Sequence, residues 1–300
     1  MPKVSLCVTF LLLTLTARAA SAQIFETVGI RAQGMGGAFV AMADDATATW
    51  WNPAGIAKGA FFNALVEYGR QRATPDDQPL GVAIAFPAMG VSYYHLPINQ
   101  MRAPGSTGSG GDVREDQGVL SVFGLTVDQS LGEHLAVGST LKLVRAGETH
   151  SDLDLGAMAR LGVMRLGITV KNLRKPEFET ATGPLALERQ ARAGFALVGH
   201  STGWISDMAL AVDADLVKAT GVAGESRRVA GGVEAWMFKR LLGLRGGVSG
   251  NTIERGSAVS AGASLEAVSG KYVKTYVDGQ VTRGSEASRR GWSVGLRATF

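Results

Sequence analysis

The sequence predicts an all-β protein, a transmembrane antiparallel barrel of about fourteen strands with a small helical plug at its N-terminal side. Three observations lead there. Segments of about 9 to 12 residues alternate apolar with charged or small residues, a length suited to crossing a hydrocarbon layer at a tilt. The connections between them alternate between long or polar and short, as the two rims of an outer-membrane barrel do. The sequence closes on Trp292, Val294, Leu296, Ala298 and Phe300, which share one face of a strand ending on an aromatic residue.

Taken in chain order, Met1 to Ala22 reads as a cleaved secretory leader. It has a basic start at Lys3, an apolar run from Leu6 to Leu15 and the small-residue exit Ala20-Ser21-Ala22. The single cysteine, Cys7, leaves with it, so the mature chain is expected to stand without disulfides. Cleavage takes Lys3 and Arg18 from the 30 basic residues and leaves them nearly matched by 26 acidic ones. With 46% hydrophobic and only 19% charged residues the chain is not disordered. It has no basic run with interleaved aromatics, so nucleic acid is not an expected partner. No later stretch is apolar for the roughly 18 residues that a spanning helix needs.

Residues 23–60 form the expected plug, centred on Gly29 to Ala57. Gly34, Gly36, Gly37 and Ala38 let backbone approach backbone closely, as a segment packed in a narrow cavity must. Asp44 and Asp45 are placed to cap or start a short helix through Ala46 to Trp51. Asn52-Pro53-Ala54-Gly55 reads as a turn, because Pro presets φ and Gly accepts φ > 0.

The barrel is expected over 61–300, with strands at roughly 61–70, 80–86, 89–96, 117–127, 133–145, 153–161, 163–172, 190–199, 205–216, 227–238, 240–249, 257–266, 271–281 and 290–300. Met164, Leu166, Ile168 and Val170 alternate with Arg165, Gly167, Thr169 and Lys171; Met208, Leu210 and Val212 alternate with Asp207, Ala209, Ala211 and Asp213. Side chains of a strand point to opposite faces in turn, so each segment offers an apolar face and a polar one. A soluble sandwich alternates too, but its strands are mostly nearer 5 or 6 residues. Long or polar connections are expected after strands one, three, five, seven, nine, eleven and thirteen, for example Pro97–Asp116, which is polar and rich in Gly and Ser. An even strand count brings both ends of the barrel to the short-turn rim.

A charge on a lipid face costs about 2 to 4 kcal/mol for Lys or Arg at the midplane, so the charged face is assigned inward. That face carries Glu67, Lys142, Asp154, Arg160, Arg165, Lys171, Asp207, Asp213, Arg228, Glu234, Arg245, Lys274, Asp278 and Arg297. Mixed signs there mean either ion pairing across a filled lumen and against the plug, or a polar path for solute.

With these residues in view, Gly34-Met35-Gly36-Gly37-Ala38-Phe39, Asp44-Asp45-Ala46 and Trp51-Asn52-Pro53-Ala54-Gly55 resemble the N-terminal signature of the FadL-like outer-membrane transporters and their PorV/PorQ-like relatives. The close match covers this stretch alone. The resemblance implies a fourteen-stranded barrel with the N-terminal segment folded into the lumen as a hatch. By match, Asn52, Pro53 and Ala54 belong to that hatch and help gate hydrophobic substrates. For outer-membrane barrels generally it implies that Phe300 is the signal read by the barrel-assembly machinery. The expected function is passage of small hydrophobic or amphipathic molecules. The alternative is a PorV-like structural barrel acting through secretion-system partners.

An enzyme is not expected. His150-Ser151 and His200-Ser201 are neighbours that face opposite ways if extended, and His95 and His134 stand alone, so all four read as solvated loop histidines. No His or Cys spacing suits a metal and no cofactor is expected. The Gly34-to-Gly37 run lacks the strand-to-helix unit of a dinucleotide site.

Overall fold

Parity organises the molecule, as seen in a computed structural model that describes residues 20–21, 28–72, 74, 77–99, 117–180, 183–221, 224–253, 256–285 and 290–300. The expected leader lies outside these residues except for Ala20–Ser21, which runs parallel beside Leu185–Ala186. The greater part of the loop 97–116 is also outside them.

Fourteen strands close into one antiparallel barrel. They are β1 (Asn63–Gln71), β2 (Leu80–Phe86), β3 (Met89–Asn99), β4 (Gln117–Leu131), β5 (Leu135–Ala146), β6 (Glu148–Leu161) and β7 (Met164–Lys171). The circuit continues through β8 (Gln190–His200), β9 (Ile205–Asp215), β10 (Arg228–Met237), β11 (Leu242–Asn251), β12 (Gly256–Ser269), β13 (Lys274–Gly284) and β14 (Arg290–Thr299). Each pairs with its sequence neighbours, and β14 pairs with β1 from Gly291 opposite Gln71 to Thr299 opposite Asn63. Phe62 and Phe300 exchange both backbone bonds, at 2.8 and 3.0 Å, beyond the last ladder pair. Closure leaves no strand edge for lipid to meet, which is the condition for a sheet to span a bilayer.

The apolar residues face outward. Val66, Tyr68, Met208, Leu210, Val212, Val277 and Val281 are exposed, while their neighbours Glu67, Ala209, Ala211, Asp213, Asp278 and Gln280 are buried in the interior. A water-soluble sandwich would reverse this arrangement.

On one rim the connections are short: Pro87-Ala88, Gly132–His134, Gly162-Val163, Ser201–Trp204, Phe238–Leu241 and Gly270–Val273. Aromatic rings gather there, with Phe62 stacked on Phe300 at 4.9 Å and tilted against Phe86 at 5.6 Å, and Trp204 beside Phe238 at 6.4 Å. Short turns and an aromatic girdle mark the periplasmic interface of such barrels. On the opposite rim one expectation fails: the connection after β5 is the single residue Gly147, at φ 84, because β5 and β6 keep pairing as far as Ala146 and Glu148. Two of the longer connections carry small hairpins of their own, Glu177–Thr180 with Gly183–Ala186 and Ala219–Gly221 with Gly224–Ser226.

Candidate functional site

The segment Val28 to Gly59 sits inside the barrel. It comprises α1 (Ile30–Gly34), α2 (Ala48–Trp51) and a 3-10 turn over Pro53–Lys58. Its apolar side chains form a core with the inward residues of the wall, with Val28, Ala32, Met35, Phe39, Val40 and Trp51 fully buried. Helices this short do not hold themselves together in water, so the surrounding wall supplies their stability.

Local chemistry differs from the sequence reading in three details. α2 begins at Ala48 rather than Ala46: the Asp45 carboxylate accepts from the Thr47 amide at 3.0 Å and hydroxyl at 2.5 Å, closing a turn ahead of the helix. Asp44 caps nothing and turns to guanidinium groups instead. Asn52-Pro53-Ala54-Gly55 is the start of the 3-10 turn, with Asn52 accepting from the Ala54 amide at 3.2 Å and Pro53 at the first position. Gly55 has no positive φ; it is required because an added Cβ would stand 1.7 Å from the Ala43 carbonyl oxygen.

The plug meets the wall backbone to backbone. Inward glycines on successive strands leave the gaps that it fills. A Cβ at Gly247 would stand 2.1 Å from the Met35 carbonyl carbon, at Gly232 2.4 Å from the Met35 oxygen, and at Gly167 2.5 Å from the Val40 oxygen. At Gly138 it would stand 2.6 Å from the Pro53 carbonyl carbon, and at Gly156 2.1 Å from the Asn52 amide oxygen. Asn52, fully buried, donates from its Nδ2 to Val40 O at 3.0 Å and to Ala157 O at 3.1 Å, tying the plug to itself and to β6. Trp51 donates from Nε1 to Val28 O at 2.9 Å and meets Phe39 edge-on at 6.0 Å.

Carboxylates of the wall hold plug amides. Glu67 accepts from Gly29 N at 2.8 Å and Ile30 N at 3.0 Å, and Asp213 accepts from Phe39 N and Val40 N, both at 2.8 Å. A chain of alternating charges then crosses the lumen through the plug. Arg165 pairs with Asp44 at 3.0 Å; Asp44 pairs with Arg31; Arg31 pairs with Glu234 at 2.7 Å and Asp45 at 3.3 Å. Glu234 pairs with Arg245 at 2.7 Å, Arg245 lies 3.8 Å from Asp278, and Asp278 pairs with Arg297 at 2.9 Å. Burial alone would raise the Asp44 carboxyl, but the Arg31 and Arg165 guanidiniums hold it well below the usual carboxylate range. For Arg31 burial works against the charge, and Asp44, Glu234 and Asp45 together outweigh it and push its pKa up.

Other expected lumen charges meet groups of the wall, the plug or the rims. Lys142 pairs with Asp152 at 2.9 Å and Asp154 at 2.7 Å, and Arg160 donates to the Lys58 carbonyl at 2.7 Å. Asp207 pairs with Arg240 at 2.7 Å and with His200 at the periplasmic mouth. Arg228 lies at the opposite rim, its amide donating to Asp215 at 2.9 Å. Of the two readings of the mixed charges, ion pairing across a filled lumen and against the plug is the one this geometry supports.

Toward the long-loop rim the inner face carries both apolar and charged residues. On β3 to β5, Tyr94, Leu96, Leu120, Val122 and Val144 face inward and are buried, with Trp50 of α2 edge-on to Tyr94 at 5.4 Å. Beside them, Lys142 of β5, Lys171 of β7 and Arg192 of β8 also face inward, Lys142 paired with Asp152 and Asp154, Arg192 paired with Asp215 at 2.7 Å and Lys171 lying 3.5 Å from the centre of the Trp50 ring.

The histidines were expected in loops. Only His134 sits in a turn; His95 lies within β3, and His150 and His200 lie on β6 and β8, which run further than the alternation suggested. Sequence reasoning missed Arg31, the glycine gaps, and Trp236, which is buried on the inner face between Tyr276 and the Arg240 guanidinium. Arg31 had a signal available, as the one basic residue in the otherwise small and acidic stretch from Gly29 to Ala57. The glycine gaps had another, since Gly156, Gly167, Gly232 and Gly247 all fall on inward parity.

A closed, lipid-facing barrel with a small plug in its lumen defines the class: an outer-membrane β-barrel. More particularly, its fold is that of the FadL-like barrels. It is similar to a channel described as the CymD monoaromatic hydrocarbon channel, at TM-score 0.60 and 13% identity over 93% of this chain and 99% of that one. It is similar to the Ralstonia pickettii toluene transporter TbuX, at TM-score 0.58 and 11% identity over 92% and 98%. A Pseudomonas aeruginosa FadL homologue aligns at TM-score 0.56 and 11% identity over 91% and 98%. At these identities the property held in common is the fold. No family model and no curated protein matches the sequence.

Proposed function

We propose that this protein is an outer-membrane channel for small hydrophobic or amphipathic molecules, with residues 23–60 acting as its gate. The observation that carries the reading is the apolar inner patch of Leu96, Leu120, Val122 and Val144, with Tyr94 against Trp50 of the plug and with the ion-paired Lys142 and Arg192 on the same inner face. An apolar surface with a few placed charges suits a molecule having an apolar body and a polar end. The neighbours in fold include a hydrocarbon channel and a toluene transporter, which favours this class of cargo. A secretion-partner role, as in PorV-like barrels, has no support among these neighbours.

In this reading Asp44, Asp45, Trp51, Asn52, Pro53, Ala54 and Gly55 hold the gate shut, and ion pairs rather than a solute path occupy the lower lumen. The chain is exported through a leader at residues 1–22 and inserted by the barrel-assembly machinery with Phe300 as its signal. The test is uptake of radiolabelled fatty acids and monoaromatic hydrocarbons by a deletion strain and by the same strain carrying the gene. Restored uptake of either class supports the proposal; identical uptake across both classes removes it.

A further inference from the structure

Most charged side chains inside the barrel meet an opposite charge or a backbone group, but one cluster on the outer surface is built the other way. Arg283 of β13 lies directly across from Arg290 of β14 in the ladder. The Arg72 amide donates to the Arg290 carbonyl at 2.9 Å, which puts Arg72 beside Arg290 on the third strand. Three arginines therefore stand side by side, all exposed, at the long-loop rim. Adjacent strands are about 4.8 Å apart, so the row spans roughly 10 Å. Like charges directly opposite one another destabilise a sheet. The Arg290 guanidinium is held near this row by donating to Gly284 O at 2.7 Å and Ser285 O at 3.2 Å. The nearby Asp77 is engaged with His95 at 2.9 Å, and among the described residues no carboxylate pairs with Arg70, Arg72 or Arg283.

What lies beneath the row says which anion belongs there. The next level down on the same three strands is Val281, Trp292 and Arg70, and below it come Val294 with Tyr68, then Val277, Leu296 and Val66. All are on the outward face. The cationic row is thus continuous with the lipid-facing band through an aromatic step, Trp292 against Tyr68 at 6.1 Å. A free anion would need only the arginines; a lipid with a phosphorylated headgroup would place its phosphates on the row and its acyl chains down the column. The long-loop rim faces the outer leaflet. We infer that the β13–β14–β1 face binds the phosphate-bearing headgroup of an outer-leaflet glycolipid through Arg70, Arg72, Arg283 and Arg290. Aromatic and basic residues at this depth act together, since anionic headgroups attract basic residues within a Debye length of the surface.

The experiment uses the full mature chain refolded in neutral detergent, with lipid binding read by native mass spectrometry and titration. The probes are lipid A with both phosphates, the same lipid enzymatically dephosphorylated, and inorganic phosphate. The wild-type protein is expected to hold the phosphorylated lipid about tenfold or more tightly than the dephosphorylated one, with affinity falling as salt rises. The triple variant Arg70→Gln, Arg72→Gln, Arg283→Gln should lose most of that preference while still running as a heat-modifiable folded barrel. Arg145→Gln, an exposed outward arginine on β5 with Ser121 and Thr149 as its ladder neighbours, should keep it. Equal affinity for the two lipids overturns the inference without any variant being needed. So does displacement of the lipid by inorganic phosphate at matched concentration, which would make the row a general anion site. Neither result bears on the transport reading, which concerns the opposite face of the wall.

Discussion

Replacing Arg31 by Gln tests whether the plug is latched by charge. Arg31 joins Asp44 and Asp45 of the plug to Glu234 of the wall, and its side chain is nearly fully enclosed. Breaking a buried pair by removing one partner costs about 3–5 kcal/mol, because a charge is left without compensation. Here the lower end applies, since Glu234 keeps Arg245 at 2.7 Å and Asp44 keeps Arg165 at 3.0 Å. A loss of about 3 kcal/mol would raise the population with the plug displaced by roughly a hundredfold. The assay is planar-bilayer conductance of purified protein, counting open events per channel, alongside sensitivity of cells to a large antibiotic excluded by intact outer membranes. Glu234→Gln and the double variant complete the cycle. If the pair acts as a unit, the two single changes should not add. Opening that is unchanged in Arg31→Gln, or strictly additive effects with no coupling, would refute the idea that this ion chain holds the gate.

Gly247→Val should evict the plug while sparing the barrel, because its Cβ would overlap Met35 backbone while its β-branched side chain suits a strand; overpacking of this kind costs about 1–3 kcal/mol or more. Raised conductance with normal heat-modifiability is the expected pair of results, and loss of the barrel itself would count against the division of labour. Asn52→Ala strands the carbonyls of Val40 and Ala157 and removes the 3-10 cap, for about 1–3 kcal/mol of plug docking, read as a smaller rise in opening than Arg31→Gln produces. Asp44 has a depressed pKa, so its contribution to docking is present above the unfolded value near pH 4 and is lost only as pH falls through the lower folded value. Conductance should therefore stay low as pH drops from 7 to about 4 on this account, and Asp44→Asn should raise it even at neutral pH.

How much of this was legible in advance depends on the range of the interaction. All fourteen strands are present near their expected places, because lipid outside and a polar interior impose period-two alternation that each segment carries locally. β6 begins at Glu148 rather than near 153 for the same local reason: Thr149, Ser151 and neighbours are polar on both faces, so alternation fades there although the ladder with β5 continues to Gly147. The inward assignment of Glu67, Asp213 and Glu234 followed from parity. Their partners did not, because Glu67 meets Gly29 and Ile30, and Glu234 meets Arg31, across long separations in sequence.

By itself the sequence determined that there would be a closed sheet, which residues would face lipid, and that a stretch of small residues would lie apart from it; one-dimensional patterns encode burial and length. Tertiary structure alone decided that Gly55 is there for the Ala43 carbonyl rather than for a left-handed turn, that the glycines of the wall are the mould of the plug, and that three arginines of β13, β14 and the β1 terminus form a single row. Steric contact and charge proximity depend on distance in space, and chain closure is what brings the first and last strands together.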